Sequence, residues 1–119
     1  MILWIRIASI LMFLAVGLGA FGAHAIRGKI SDYYLEVYKT AVLYQFIHAL
    51  GLFAVAWLSG LSADPKIIWA GILMLAGIVI FSGSLYVLSL TGIKWLGAFT
   101  PIGGLCFLIS WVLLAFAKY

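Results

Sequence analysis

Four uncharged runs, residues 7–26, 40–61, 67–90 and 95–117, divide this chain, and only single charges or short charged links separate them. Each run is close to the 20 or so residues with which an α-helix crosses about 30 Å of hydrocarbon. A membrane β-barrel would need apolar and polar residues in two-residue alternation. These runs are continuously apolar, so helices must satisfy their backbone polar groups. Composition points the same way, with 67% hydrophobic and 8% charged residues against about 25% charged in soluble domains. A chain of 119 residues is too small to bury that much apolar surface and keep a polar exterior. The sequence therefore specifies one domain, an all-α integral membrane protein with four transmembrane helices.

The links between runs imply the topology. In "SADPK" Asp64 is placed to cap a helix whose first position is Pro65, where the missing N–H costs nothing. In "LTGIKW" Gly92 is a C-cap candidate and Trp95 an interfacial anchor. Short links make neighbours antiparallel, so an up-down-up-down bundle is expected. In the longer first link, residues 31–39 carry Tyr33, Tyr34 and Tyr38 at helical spacing, with Asp32, Glu36 and Lys39 opposite. The pattern predicts an interfacial helical extension leading into the second span, with tyrosines at headgroup level. Arg27, Lys29, Lys39 and Lys94 fall on one membrane side, and Arg6, Lys66 and Lys118 on the other. The positive-inside rule then puts both termini outside the cytoplasm.

Small residues recur along the runs. Ala15, Gly19, Gly22 and Ala23 step along the first, Gly71, Gly77 and Gly83 lie in the third, and Gly97, Gly103 and Gly104 in the fourth. Such residues let helices approach closely where water supplies no drive between them. Gly19, Gly22, Gly77, Gly83 and Gly103 are the packing candidates. Pro101 belongs with them, because it should free a carbonyl near position 97 for a neighbour to satisfy.

Polar side chains are concentrated in one half of the membrane. At 1.5 Å per residue, Gln45 and His48 lie on the order of 8–14 Å below the surface that carries the first and third links. Ser82, Ser84 and Tyr86 reach about 6–12 Å by the same count, and Thr100 roughly 8–9 Å. Tyr44 shares the face of Gln45 and His48, and His24 sits nearer the surface. These residues form a candidate polar layer. It serves either as hydrogen-bonded glue between helices or as a pocket for a lipid or transported small molecule.

Other chemistries fit poorly. His24 and His48 differ in depth by about one to two helical turns, which disfavours bis-histidine haem ligation. No carboxylate or second cysteine lies at depth to complete a zinc site, so neither metal nor cofactor is expected. Lone Cys106 allows no internal disulfide. The net charge of +4 is scattered, with no cluster to follow a nucleic-acid backbone. Proton-coupled transport normally uses an embedded acid, whereas Asp32, Glu36 and Asp64 all lie in links. His48 near Ser84 lacks a carboxylate orienter and an oxyanion hole, so an enzyme is not expected. The partners to expect are the bilayer, a bound lipid, and a second copy or another small membrane protein.

The stretches "GLGAFGAHAI", "YQFIHALGL", "FSGSLYVLSLTG" and "TPIGGLCFLISW" together resemble the small bacterial membrane family called domain of unknown function 423. That family is similar to the animal transmembrane protein 256. The resemblance spans nearly the whole chain and implies four transmembrane helices in the bacterial plasma membrane. Its motifs carry Gly19, Gly22, His24, Gln45, His48, Ser82, Gly83, Tyr86, Thr100, Pro101 and Gly103. It brings no catalytic or binding role.

Overall fold

A computed structural model describes residues Met1–Tyr119. Four helices are long and apolar enough to cross a membrane: α1 (Ile2–Ile26), α2 (Asp32–Ser59), α3 (Pro65–Thr91) and α4 (Lys94–Ala115). Their ends differ from the uncharged runs in an instructive way. Helix α1 begins well before Arg6, and α2 absorbs Asp32, Glu36 and Lys39 without a break. A charge marks the edge of the hydrocarbon, but it does not stop a helix.

Local chemistry sets the turns. Lys29 N–H donates to Ile26 C=O at 2.9 Å. Arg27 at φ −54°, ψ 126° and Gly28 at φ +83° complete a type II turn, whose third position favours glycine. The Ser31 hydroxyl then caps α2 by accepting from Tyr34 N–H at 3.2 Å. Gly92, at φ +72°, ends α3 in the left-handed conformation that a side chain would strain.

At the opposite end Asp64 caps α3 and also holds the C-terminus. One carboxylate oxygen accepts from Lys66 N–H at 2.9 Å and the other from Lys118 N–H at 2.7 Å. Lys118 C=O in turn accepts from the Ser62 hydroxyl. The backbone donor of Lys66, then that of Lys118, holds the Asp64 carboxyl below its ordinary range, because both bonds favour the charged form.

The bundle is flattened, with Cα extents of 47 × 26 × 17 Å. Helices α2 and α3 meet along the middle, α1 packs against α2, and α4 packs against α3. Leu52 and Val55 of α2 meet Ile67, Ala70 and Met74 of α3 in the core, with Phe107 from α4 and Ala8 from α1. Large apolar side chains such as Phe13 and Leu108 face outward, as a bilayer solvent allows.

Glycines set the closest approaches. A Cβ on Gly103 would lie 2.4 Å from Phe81 N, and one on Gly77 would lie 2.5 Å from the Phe107 ring. A Cβ on Gly22 would meet the Tyr38 ring at 2.4 Å, and one on Gly71 would meet Trp4 at 2.8 Å. Gly19 is looser, with Val42 at 3.4 Å. Gly83 departs from its expected packing role, since nothing lies within 4 Å of a Cβ there.

Two wide, π-type turns interrupt the helices, at Gly22–Ile26 in α1 and Ile78–Ser82 in α3. Such turns carry extra chain per turn, so residues beyond them rotate relative to a straight α-helix. Gly83, six residues after Gly77, is roughly 120° from it around even a straight α-helix, and so it does not share the face on which Gly77 packs. Pro101 also corrects its expectation. A tight turn, Lys94–Ala98, opens α4, and the α-helical part starts at Thr100. Pro101 therefore occupies a helix start, where no donor is lost, and does not break a helix at depth.

Candidate functional site

The polar residues at depth gather into three stations, each joining particular helices. The first is centred on Gln45, whose side chain is almost fully buried. Gln45 Nε2 donates to Leu11 C=O of α1 at 2.8 Å, and its Oε1 accepts from the Tyr86 hydroxyl of α3 at 2.6 Å. One amide thus ties α2 to both neighbours. The Tyr86 ring meets Tyr38 edge-on, with centroids 5.3 Å apart. The Tyr38 hydroxyl donates to Leu18 C=O of α1 at 2.5 Å. Tyr38 was expected at headgroup level, yet it is 1% exposed. The absent side chain of Gly22 opens the slot that receives its ring.

His48 forms the second station. Its Nδ1 lies 2.8 Å from Tyr44 C=O one turn back, and its Nε2 accepts from Trp111 Nε1 of α4 at 3.0 Å. An indole nitrogen can only donate, so Nε2 must offer a lone pair and Nδ1 carries the proton. The ring stacks on Phe107, with centroids 3.5 Å apart and planes 9° from parallel. His48 is therefore neutral, satisfied at both nitrogens and clamped by α4.

The third station joins α3 to its neighbours. Ser82 donates to Ala41 C=O of α2 at 2.8 Å. Ser84 lies 2.8 Å from the Thr100 hydroxyl of α4 and 2.9 Å from Phe81 C=O. With one proton per hydroxyl, Thr100 donates to Ser84 and Ser84 donates to the carbonyl. Tyr44 contributes its ring, packed 4.5 Å from Phe81 between centroids. His24 does not join any station: it is exposed on the outer side of the first wide turn. Depth alone put His24 near the layer, but its direction around the helix takes it away.

Trp111 and Phe107 complete the His48 station, although sequence reasoning did not pick them out. Each is an aromatic in an apolar run, a pattern equally suited to facing lipid. The available signal was spacing: they stand four residues apart on one face of α4.

No buried side-chain nitrogen or oxygen lacks a hydrogen-bond partner, and no three His, Cys, Asp or Glu side chains converge. Beside the His48 station a groove of ≈ 620 Å³ opens along α4, lined by Tyr44 and His48 of α2, Phe81 of α3, and Pro101, Leu108 and Trp111 of α4 among others. Its lining is mainly aromatic and aliphatic. Both His48 nitrogens are already engaged, so the groove meets only the ring.

Residues 18–104 match the model of the family described as "Protein of unknown function (DUF423)". The chain belongs to the DUF423 family. It is 56% identical to the UPF0382 membrane protein YwdK of Bacillus subtilis over 115 residues, covering 96% of this chain and 94% of that protein. It is 49% identical to the UPF0382 membrane protein SAB0533 of Staphylococcus aureus over 117 residues, covering 98% and 95% of the two chains. It is 46% identical to the UPF0382 membrane protein SH2409 of Staphylococcus haemolyticus over 117 residues, again 98% and 95%. No solved structure matches it. This DUF423 member is an integral membrane protein, as its relatives' names and its four apolar helices agree. The match takes in Gln45, His48, Ser84 and Tyr86, whereas Trp111 and Leu11 lie beyond its ends.

Proposed function

We propose that this DUF423 protein is a non-enzymatic structural or partner-binding protein of the bacterial plasma membrane, whose polar layer locks the helices in register. The carrying observation is that His48 and Gln45 spend their polar atoms on the protein itself. His48 is bonded to Tyr44 C=O and Trp111, and Gln45 to Leu11 C=O and Tyr86. A transport site would keep polar groups facing a path. Here they face neighbouring helices. A catalytic dyad also finds no support, because His48 bonds an indole and Ser84 is occupied by Thr100 and Phe81 C=O. Both termini lie on the non-cytoplasmic side in this reading, which rests on Arg27, Lys29, Lys39 and Lys94 sharing one face.

The apolar groove beside His48 favours one second reading, in which it holds a lipid or other small apolar molecule. Native mass spectrometry in mild detergent separates the two, using wild type, His48→Leu and His48→Leu/Trp111→Phe. The double variant removes the indole donor that the single one strands. Unchanged adducts with an intact fold support the packing role. Loss of a specific mass from both variants would replace it with ligand binding. The mass of the intact assembly, read in the same spectra, tests self-association.

A further inference from the structure

The mouth of the α1–α2 interface, far from the His48 groove, holds two voids that run into one another. The upper one, ≈ 430 Å³, is lined by Arg27, Gly28, Asp32 and Leu35 together with Gly22, Ala23 and Lys39. The lower one, ≈ 160 Å³, shares Gly22, Ala23 and Lys39 and continues along Gly19, Tyr38 and Val42. A cleft therefore starts at the charged surface and descends between two helices into the apolar zone.

We propose that this cleft binds an anionic phospholipid, its phosphate between Arg27 and Lys39 and one acyl chain along Gly19, Gly22 and Val42. Charge complementarity carries the upper half. Arg27 and Lys39 line the void with one carboxylate, Asp32, while the Glu36 carboxylate that meets Lys39 lies outside the lining. Arg27 has no ion-pair partner, and Lys39 makes only an exposed 3.4 Å contact with Glu36, which it can surrender cheaply. Basic pockets between transmembrane helices suit anionic headgroups in this way.

Shape carries the lower half. A soluble anion would leave the apolar arm empty, and a helix about 10 Å across cannot enter a void of ≈ 160 Å³. The first few methylenes of one acyl chain fit, and the rest would lie against the lipid-facing sides of the two helices. The walls are set in advance, because the Tyr38 hydroxyl is fixed to Leu18 C=O and its ring fills the slot at Gly22.

The test uses the full chain in mild detergent, titrated with dioleoyl phosphatidylglycerol or dioleoyl phosphatidylcholine and read by native mass spectrometry. Phosphatidylglycerol should be retained preferentially. Arg27→Gln and Lys39→Gln should each weaken it roughly fivefold, the factor for one basic residue near an anionic lipid, and leave phosphatidylcholine unchanged. Lys94→Gln removes a charge from the same membrane face outside the cleft and should have no effect. Ala23→Leu narrows the throat and should lower phosphatidylglycerol binding with both cations in place; if that variant does not fold, the charge variants decide. Equal retention of the two lipids would overturn the proposal, and so would an equal loss in Lys94→Gln, which would mean diffuse surface charge. Competition by soluble glycerol phosphate at concentrations comparable to the lipid would make the cleft a free-anion site and also overturn it.

Discussion

Adding one methyl group at Gly103 should do more damage than almost any other small change in this protein. In Gly103→Ala the new carbon would lie 2.4 Å from Phe81 N, 2.7 Å from its Cβ and 2.8 Å from its Cα. Carbon contacts settle at about 3.5–4.0 Å, so α3 and α4 must part by roughly 1 Å. The obstructing atoms are mostly main chain within a helix, so no rotamer change relieves them. Overfilling a packed interior costs about 1–3 kcal/mol, and a backbone obstruction belongs toward the upper end. Gly83→Ala is the matched control, because its carbon meets nothing within 4 Å. It should be neutral or stabilising by up to about 1 kcal/mol, the helix-propensity difference between alanine and glycine. Reversible unfolding by SDS titration from mixed micelles, with far-UV circular dichroism as the readout, compares the variants directly. Unfolding of Gly103→Ala together with wild type, or an equal loss in Gly83→Ala, would refute a close α3–α4 contact at Gly103.

Gln45→Met should cost on the order of 1 kcal/mol, two interhelical bonds at the bilayer average of about 0.6 kcal/mol each. A double-mutant cycle with Tyr86→Phe should return roughly one bond's worth of coupling; zero coupling would remove Tyr86 as Gln45's partner. Nitrogen-15 NMR of ring-labelled histidine should find the His48 proton on Nδ1, and Trp111→Phe should shift the Nε2 resonance far more than the Nδ1 resonance. Asp64 has a carboxyl held below its ordinary range by the Lys66 and Lys118 amides, so its contribution is whole above the unfolded carboxyl's range, about 3.9. That contribution fades as the pH falls through the depressed folded value. Protection of the Lys118 amide, its exchange compared with the intrinsic rate at the same pH, should fall over that acid range in wild type, and Asp64→Asn should abolish that fall.

Much of the architecture was legible because the bilayer imposes a coarse rule: four uncharged runs of adequate length must become four helices. The helix ends were less legible. Arg6 reports where hydrocarbon stops, and α1 runs through it to begin at Ile2. Depth could also be counted, since a fixed rise per residue brings Gln45 level with Tyr86, and Ser84 level with Thr100. Direction around the axis could not, because the wide turns at Gly22–Ile26 and Ile78–Ser82 break the regular phase that periodicity assumes. His24 was misplaced for that reason, whereas Gly83 was chosen for its small size alone, though it stands roughly 120° around the helix from Gly77. Trp111 and Phe107 stayed hidden for another: in a membrane protein, apolar residues face lipid and core alike, so hydrophobicity does not separate them.

The flattened packing bears on how such a chain is made. Helices α1 and α2 form one hairpin, α3 and α4 another, and the C-terminus is fastened through Lys118 to Ser62 and Asp64 of the link that leads into the second. Within the first, Gln45 and Tyr38 reach α1 carbonyls without help from the rest of the chain. The first half can thus leave the insertion machinery as a finished pair while the second is still being made. What remains is a lateral meeting in the plane of the bilayer, where Tyr86 finds Gln45, Ser82 finds Ala41 and Trp111 finds His48.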